Sequence, residues 1–341
     1  MLDSNLEAAV NQILTQRRVS ELRELLHGYR ISSLSEGKSH NTIAIVEASV
    51  RYLEQFLIAH GLSTNISEIT AEQLRRFAVY LRERPRFARH PFTPPQPGHL
   101  SGHTVNGYMR ALHSFWSWLE REGLVQENPF HKLKPPKAPK KIIPVFTEDQ
   151  LRRLFASVDL TSPNGYRDYA IMLLLLDTGI RCSELAGLKV EDVDLDSRLI
   201  KVWGKGNKQR LVPIGAKVQK AIWKYVHRCR PDPALPRYHH LFLTRDGRPL
   251  TKDRVEAIVE CYGKRAGITG VRVSPHTFRH TMAVTYLRNG GDIFSLQQIL
   301  GHSSLEVLRN YVNLALSDIQ GVHRRSSPAD NIQLKTVRDS R

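Results

Sequence analysis

A stretch rich in lysine and proline divides the chain into two parts. Residues 131–146 read HKLKPPKAPKKIIPVF, with prolines at 135, 136 and 139. Proline has no backbone N–H and fixes φ, so these residues favour an extended segment over a helix or a central strand. The 341 residues of the chain are enough for two domains of ordinary size joined by this linker.

The linker is also strongly basic. Five of its side chains crowd into ten positions without an acidic residue among them: Lys132, Lys134, Lys137, Lys140 and Lys141. Such a segment can lie along the phosphates of a nucleic acid as a strap, because each lysine replaces a counterion. It can equally be a solvated hinge, and composition alone leaves both interpretations open.

The net charge of the whole chain points to a polyanionic partner. The formal charge is +17 and the sequence pI is about 10.0, for which nucleic acid is the commonest explanation. A membrane surface is the alternative, but neither end carries an amphipathic basic anchor or a lipidation signal. The longest apolar run, residues 170–176, is too short to cross a bilayer. The N-terminus, MLDSNLEAAVNQ, lacks the pattern of a secretion signal.

The three cysteines are odd in number and far apart. This spacing argues against a disulfide framework and against a zinc site. A reducing, cytoplasmic location is expected.

The N-terminal half has apolar residues at helical spacing. The periodicity predicts helices over residues 42–59, 66–81 and 104–121, with a further helical segment before residue 36. Between the second and third of these, residues 82–102 contain five prolines, which predicts an exposed basic loop.

In the C-terminal half, apolar segments that predict buried elements alternate with residues that favour turns. A capping box at Thr147 and Gln150 opens one helix, and a helix from about 166 to 178 is apolar nearly all round. Arg181 follows a tight glycine turn at the end of that buried helix, which can fix a guanidinium rigidly. Residues 199–213 predict a β-hairpin with Lys205 at its tip.

A set of phosphate-handling side chains stands in residues 272–313. His276 and Arg279 are three residues apart and share a helix face. His302 follows a glycine at a predicted helix end, and Tyr311 comes nine residues later. Arginine binds phosphate oxygens through a planar fork, histidine moves protons near neutral pH, and tyrosine can be a covalent nucleophile.

Together these motifs resemble the signature of the tyrosine recombinases, also called the phage integrase family. The matching elements are the Thr-Gly-x-Arg-x-x-Glu-Leu box around Arg181, the hairpin lysine Lys205, His276-Thr-Phe-Arg279, Leu300-Gly301-His302 and Tyr311. They cover residues 177–311 in the family's order.

The resemblance implies a mainly helical, two-domain fold with a small β-sheet. A helical extension (1–35) would precede an all-helical, SAM-like core-binding domain (36–130). The basic linker (131–146) would lead to an α+β catalytic domain (147–320) and a C-terminal tail (321–341).

The resemblance also implies a site-specific DNA recombinase that joins Tyr311 to a 3′-phosphate. Six catalytic residues are expected: Arg181, Lys205, His276, Arg279, His302 and Tyr311. The arginines and His302 would hold phosphate oxygens, His276 would take or orient the phenol proton, and Lys205 would protonate the leaving 5′-oxygen. The family joins its two domains by a strap of this kind, so the five linker lysines would bind DNA, as would Lys208 and Arg210. Glu184 would brace the site, and His280 would face elsewhere on its helix.

The expected partners are double-stranded DNA and three further copies of the chain, in a tetramer on paired DNA sites. No metal, cofactor or membrane is expected. Two alternatives remain: a nicking and resealing enzyme similar to type IB topoisomerases, and a DNA-binding accessory protein without turnover. The sequence departs from the family around the nucleophile, where Val307, Leu308, Val312 and Asn313 replace the threonines and histidine that are often found there.

Overall fold

The computed structural model describes residues 22–86, 96–134, 144–204 and 208–301, together with 308, 311, 312, 323 and 327. The chain divides into two compact units, residues 1–141 and 142–341. Each unit has its own hydrophobic core. The predicted fold class, mainly helical with a small sheet, is confirmed.

The first unit holds four α-helices among its described residues. They are α1 (Leu22–Ser35), α2 (His40–Ala59), α3 (Ala71–Glu83) and α4 (Gly102–Arg121). Three of them begin with a side-chain cap: Ser39, Thr70 and Ser101 each accept a hydrogen bond from the backbone N–H three residues on. Trp116 and Tyr29 are fully buried, so Trp116 is a core residue and not a surface for stacking bases.

The helix α1 packs into the core of this unit through Leu22, Leu25 and Leu26. One feature of the first unit differs from the sequence prediction. The proline-rich segment expected to be a loop contains two short paired strands, β1 (Pro85–Arg86) and β2 (Gln96–His99). Prolines are tolerated in such a two-stranded ribbon because both strands lie at an edge.

The second unit holds seven helices among its described residues. They are α5 (Glu148–Ala156), α6 (Pro163–Thr178), α7 (Cys182–Gly187), α8 (Ala216–Lys224), α9 (Lys252–Arg265), α10 (Pro275–Arg288) and α11 (Ile293–Leu300). The predicted capping box of α5 is present, with Thr147 and Gln150 bonded reciprocally.

A three-stranded antiparallel sheet lies beside these helices. Its strands are β3 (Val193–Asp194), β4 (Leu199–Trp203) and β5 (Gln209–Pro213), in the order β3-β4-β5. Strands β4 and β5 form the predicted hairpin, in register from Leu199 opposite Pro213 to Trp203 opposite Gln209.

The buried helix α6 is the centre of this unit, as its all-round apolar sequence predicts. Ala170, Ile171 and Leu174 are completely buried, and α6 packs against α8, α9 and α10. The three cysteines are free, with Cys182 buried. None of the described helices is long and apolar enough to cross a bilayer.

The turn after α6 requires glycine. Gly179 has φ 59°, and a Cβ added there would lie 2.9 Å from Leu300 Cδ2 and 3.3 Å from Met282 Sδ. Both the left-handed backbone and this close approach exclude larger residues.

We predict that Gly179→Ala lowers the free energy of unfolding by about 2–4 kcal/mol, the sum of left-handed strain and overpacking. Gly187→Ala is the matched control, because Gly187 ends α7 with φ outside the left-handed region and its added Cβ meets nothing within 4 Å. Chemical denaturation monitored by circular dichroism gives both values. Equal stability of the two variants would contradict the requirement for glycine at 179.

Candidate active site

Arg181 projects from a fixed position at the start of α7. The turn at Gly179 precedes it, and the Arg181 backbone N–H donates to the Glu184 carboxylate at 2.8 Å. Its side chain is 35% exposed. The guanidinium therefore reaches solvent from a backbone that is held on both sides.

Glu184 lies beneath Arg181 as a buried carboxylate. Its side chain is only 2% exposed. Besides the Arg181 backbone, it accepts from Arg181 Nη1 at 2.8 Å and from Arg210 Nη1 and Nη2 at 2.9 and 2.8 Å. Burial alone would raise the pKa of Glu184, but the hydrogen bonds and positive charges of the two arginines outweigh it and hold the pKa below its ordinary value. The carboxylate is thus charged and fully paired, and it braces the site as expected.

Arg279 joins two helix ends. It is 5% exposed, and it donates from Nη1 to the Gly179 carbonyl at 2.6 Å and from Nη2 to the Leu300 carbonyl at 2.8 Å. Burial and the nearby Arg181 lower its pKa to about 10, so it stays charged at neutral pH. The end of α6 and the end of α11 are thereby held to the middle of α10.

Tyr311 is buried beside this guanidinium. It is 2% exposed, and its hydroxyl lies 2.7 Å from His280 Nδ1. Burial raises the pKa of the phenol, while the charge of Arg279 acts to lower it. Burial, His276 and Arg279 lower the pKa of His280 to about 4. At neutral pH the imidazole is uncharged, and one hydrogen bond joins its Nδ1 to the phenol oxygen.

The expectation that His280 faces away from the site is wrong. His276 and His280 are four residues apart on α10, so they share the face that one helical turn repeats. His276 is exposed and His280 is partly buried. The imidazole of His276 therefore lies at the surface, and that of His280 lies further inside and contacts Tyr311.

The side chain of Arg210 also lies in a different place from the exposed, phosphate-contacting position that was expected for it and Lys208. Its side chain is 14% exposed and contacts Glu184, whereas Lys208, directly before the same strand, is exposed. Residues of a strand alternate between faces, and Arg210 shares a face with the buried Val212. That alternation was the available sequence signal for an inward Arg210. For His280 the signal was its spacing of four from His276.

Several expected site residues lie outside the described residues. They are Lys205, His302, Lys137, Lys140 and Lys141. The described chain leads up to two of them: Gly204 N–H donates to the Lys208 carbonyl across the hairpin tip, and Gly301 caps α11 with φ 64°. The remaining linker lysines belong to the first unit, where Lys132 pairs with Glu127 at 2.8 Å and Lys134 is exposed.

The second unit thus brings Arg181, Arg279, His280 and Tyr311 into one cluster, with His276 at its outer edge. Because these groups are close together, Arg181 helps to lower the pKa of Arg279, and His276 and Arg279 help to lower the pKa of His280. A phenol beside fixed guanidinium groups can attack an electrophile whose negative charge those groups stabilise. Among the described residues, no group of three His, Cys, Asp or Glu side chains is arranged to hold a metal ion.

The sequence matches two described protein families over most of its length. Residues 144–317 match the phage integrase family, and residues 27–135 match the phage integrase SAM-like domain. The chain is 30% identical to the tyrosine recombinase XerD of Listeria monocytogenes over 298 residues, which cover 86% of this chain and 95% of that protein. It is 32% identical to the tyrosine recombinase XerC of Oceanobacillus iheyensis, over 87% of this chain and 93% of that one.

Solved structures share the fold at lower sequence identity. The Tn1549 transposon integrase in complex with a circular intermediate DNA has a TM-score of 0.67 at 21% identity, and the alignment covers 89% of this chain and 99% of that one. XerH recombinase bound to its palindromic difH substrate has a TM-score of 0.66 at 18% identity, with 91% and 85% covered.

The burial of His280 makes a prediction about acid stability. The native imidazole stays neutral down to about pH 4, whereas an ordinary histidine takes up its proton near 6.5. Between these values the unfolded chain binds more protons, so the free energy of unfolding falls as the pH falls. We predict that from pH 6.5 to 4 the melting temperature of the wild type falls further than that of His280→Asn, which keeps an acceptor at the Nδ1 position. Parallel curves would contradict the buried, neutral state of His280.

Proposed function

The chain belongs to the phage integrase family of tyrosine recombinases, and on that premise we propose that it recombines DNA through a covalent bond to Tyr311. The observation that carries this proposal is the phenol of Tyr311 beside the buried, charged guanidinium of Arg279, with Arg181 within electrostatic reach. A packed aromatic residue would not need a buried cation and an imidazole near its hydroxyl, whereas a nucleophile that attacks a phosphodiester does.

In the proposed first step, the Tyr311 oxygen attacks the scissile phosphorus. The new bond joins that oxygen to the 3′-phosphate, and the bond to the 5′-oxygen of the next nucleotide breaks. The phenol proton passes to an imidazole, for which we propose His276, and Lys205 gives a proton to the departing 5′-oxygen. Arg181, Arg279 and His302 hold the non-bridging oxygens as their negative charge grows. A 5′-hydroxyl from another strand then attacks the phosphotyrosine and reverses these steps.

The nucleophile must move before it reacts. The phenol is 2% exposed and its hydroxyl is bonded to His280, one turn deeper in α10 than the exposed His276. One helical turn is about 5.4 Å. We propose that Tyr311 leaves His280 and travels outward by about this distance. It then meets a phosphate that lies between Arg181 and His276.

We propose that DNA binding is largely electrostatic. The net charge of +17 and the exposed side chains of Lys134 and Lys208 support it. The lysines of the linker would follow the phosphate backbone between the two domains.

We propose further that four copies of the chain act together on two paired duplexes. Exchange cuts and rejoins four strands, and each cut uses one Tyr311. Since the substrate is DNA and the three cysteines are free thiols, we place the enzyme in the cytoplasm.

The nucleophile is tested by Tyr311→Phe, which removes one oxygen and keeps the ring. Nicked duplexes tiled across the DNA that flanks the gene serve as substrates, and the tile that gives a covalent adduct on a denaturing gel is then used throughout. We predict wild-type affinity and no adduct, with a loss of about 1 kcal/mol in stability for the hydrogen bond to His280. An adduct formed by Tyr311→Phe would overturn the mechanism.

Lys205→Ala serves as the comparison in the same assay. It keeps the phenol but leaves the 5′-oxygen unprotonated, so cleavage should be slow on ordinary DNA. A 5′-bridging sulfur is a good leaving group that needs no acid. On that substrate Lys205→Ala should recover and Tyr311→Phe should not. Failure of Lys205→Ala to recover would remove Lys205 from the acid role.

The strap is tested by the salt dependence of binding. Neutralising Lys137, Lys140 and Lys141 together should reduce the slope of log affinity against log salt, by about 0.9 for each phosphate that the linker no longer neutralises. Fluorescence anisotropy with a labelled duplex measures it. A slope equal to that of the wild type would leave the linker as a solvated hinge.

A further inference from the structure

We infer that Arg210 is a positioning residue of the active site, which holds Arg181 through Glu184 and the end of α11 through Ile299, and that it is not a phosphate ligand. The inference rests on the proposed function, because it concerns how the same site is held for catalysis. It replaces the interpretation of Arg210 as a surface contact to DNA.

The first support is the fork that Arg210 makes with Glu184. Both terminal nitrogens donate to the two carboxylate oxygens, at 2.9 and 2.8 Å, in the paired geometry that suits a guanidinium. The Arg210 side chain is 14% exposed and that of Glu184 is 2% exposed. An ion pair removed from water in this way holds its geometry far better than a surface pair.

The second support is the charge left on Arg181. Glu184 carries one negative charge and contacts two guanidinium groups, so the three side chains sum to a single positive charge. Arg210 offsets the carboxylate, and Arg181, at 35% exposure, keeps a positive field toward solvent. Without Arg210, Glu184 would neutralise Arg181 and draw its guanidinium inward, away from a phosphate.

The third support is the contact of Arg210 with the end of α11. Its Nε donates to the Ile299 carbonyl at 2.8 Å, and the adjacent Leu300 carbonyl accepts from Arg279. A Cβ at Gly301 would lie 3.1 Å from three side-chain atoms of Arg210, and Gly301 has φ 64°. The glycine therefore lets the backbone turn directly over Arg210. Two arginines thus hold the last carbonyls of the helix that leads into His302.

These contacts connect Arg210 to two segments of the chain that carry expected catalytic residues. From one position on β5 it holds the base of Arg181 and the approach to His302, on two separate segments of the chain. A displacement of about 1 Å in either can cost about a hundredfold in rate. The effect of losing Arg210 should accordingly appear in the chemical step and not in DNA binding.

The test compares Arg210→Met with Lys208→Met, two substitutions of cations in the same hairpin. Affinity for a labelled duplex is measured across a range of salt concentrations, and single-turnover adduct formation is measured at saturating DNA on the nicked tile. Arg210→Met should keep the wild-type salt slope and form adduct about a hundredfold more slowly. Lys208→Met should reduce the slope by about 0.9, as expected when one phosphate is no longer neutralised.

Two further variants separate positioning from general damage to the fold. Arg210→Lys keeps a charge but cannot form the fork, so it should recover only part of the rate. In a Glu184→Gln background, Arg210→Met should cost much less than in the wild type, because the two residues act through one pair. If Arg210→Met does not fold, as shown by circular dichroism, Glu184→Gln alone carries the test and should show the same unchanged slope and slowed adduct formation.

A reduced salt slope in Arg210→Met together with a wild-type rate at saturation would make Arg210 a phosphate ligand and overturn the inference. Additive costs of Arg210→Met and Glu184→Gln would also contradict it. Absence of any adduct with the wild-type enzyme would instead count against the proposed function, so the two failures are distinct.

Discussion

The second unit depends on the burial of one positive charge, that of Arg279. A guanidinium at 5% exposure is costly unless its donors are paired, and here the carbonyls of Gly179 and Leu300 accept from it. Both carbonyls end helices, where they have no partner within the helix and carry the negative end of the helix dipole. The same pairing that makes the buried charge tolerable therefore fixes the ends of α6 and α11 near Tyr311.

From this constraint the remaining geometry follows in order. Gly179 must be glycine because Leu300 packs on it, and Arg181 then begins α7 two residues later. Glu184 caps α7 and balances Arg210, so that Arg181 keeps its charge toward solvent. The cations of this cluster and the groups that hold them all belong to the second unit. The proposed mechanism requires positive charge that is fixed in this way before the phosphodiester arrives.

Much of this arrangement could be predicted from sequence because it rests on local rules. The buried helix α6, the capping box at Thr147 and the hairpin of β4 and β5 follow from periodicity and cap chemistry, and the structure has all three. The sequence predicts glycines at helix ends at positions 179 and 301, and both have the left-handed conformation. A handful of motif residues identifies the family, and the similarity of the whole chain to tyrosine recombinases agrees.

What sequence reasoning missed depends on contacts between distant segments. The family motif contains His276 and Arg279 but not His280. His280 nevertheless contacts Tyr311, which lies 31 positions later in the chain. Because Arg210 is close to Lys208 in the sequence, it was expected to be a surface cation as well. The alternation of the strand instead places its side chain on the inner face, where it binds Glu184, 26 positions away. The packing of α1 against the first unit depends likewise on tertiary contacts that periodicity alone could not assign.

The central claim is that Tyr311 becomes bonded to DNA, and the linked residue can be identified directly. The wild-type enzyme would be trapped on the nicked tile, the adduct digested with protease and nuclease, and the nucleotide-bearing peptide sequenced by mass spectrometry. We predict a nucleotide remnant on the Tyr311 oxygen, joined through a 3′-phosphate. A remnant on any other residue, or a trapped complex without a covalent link, would contradict the account.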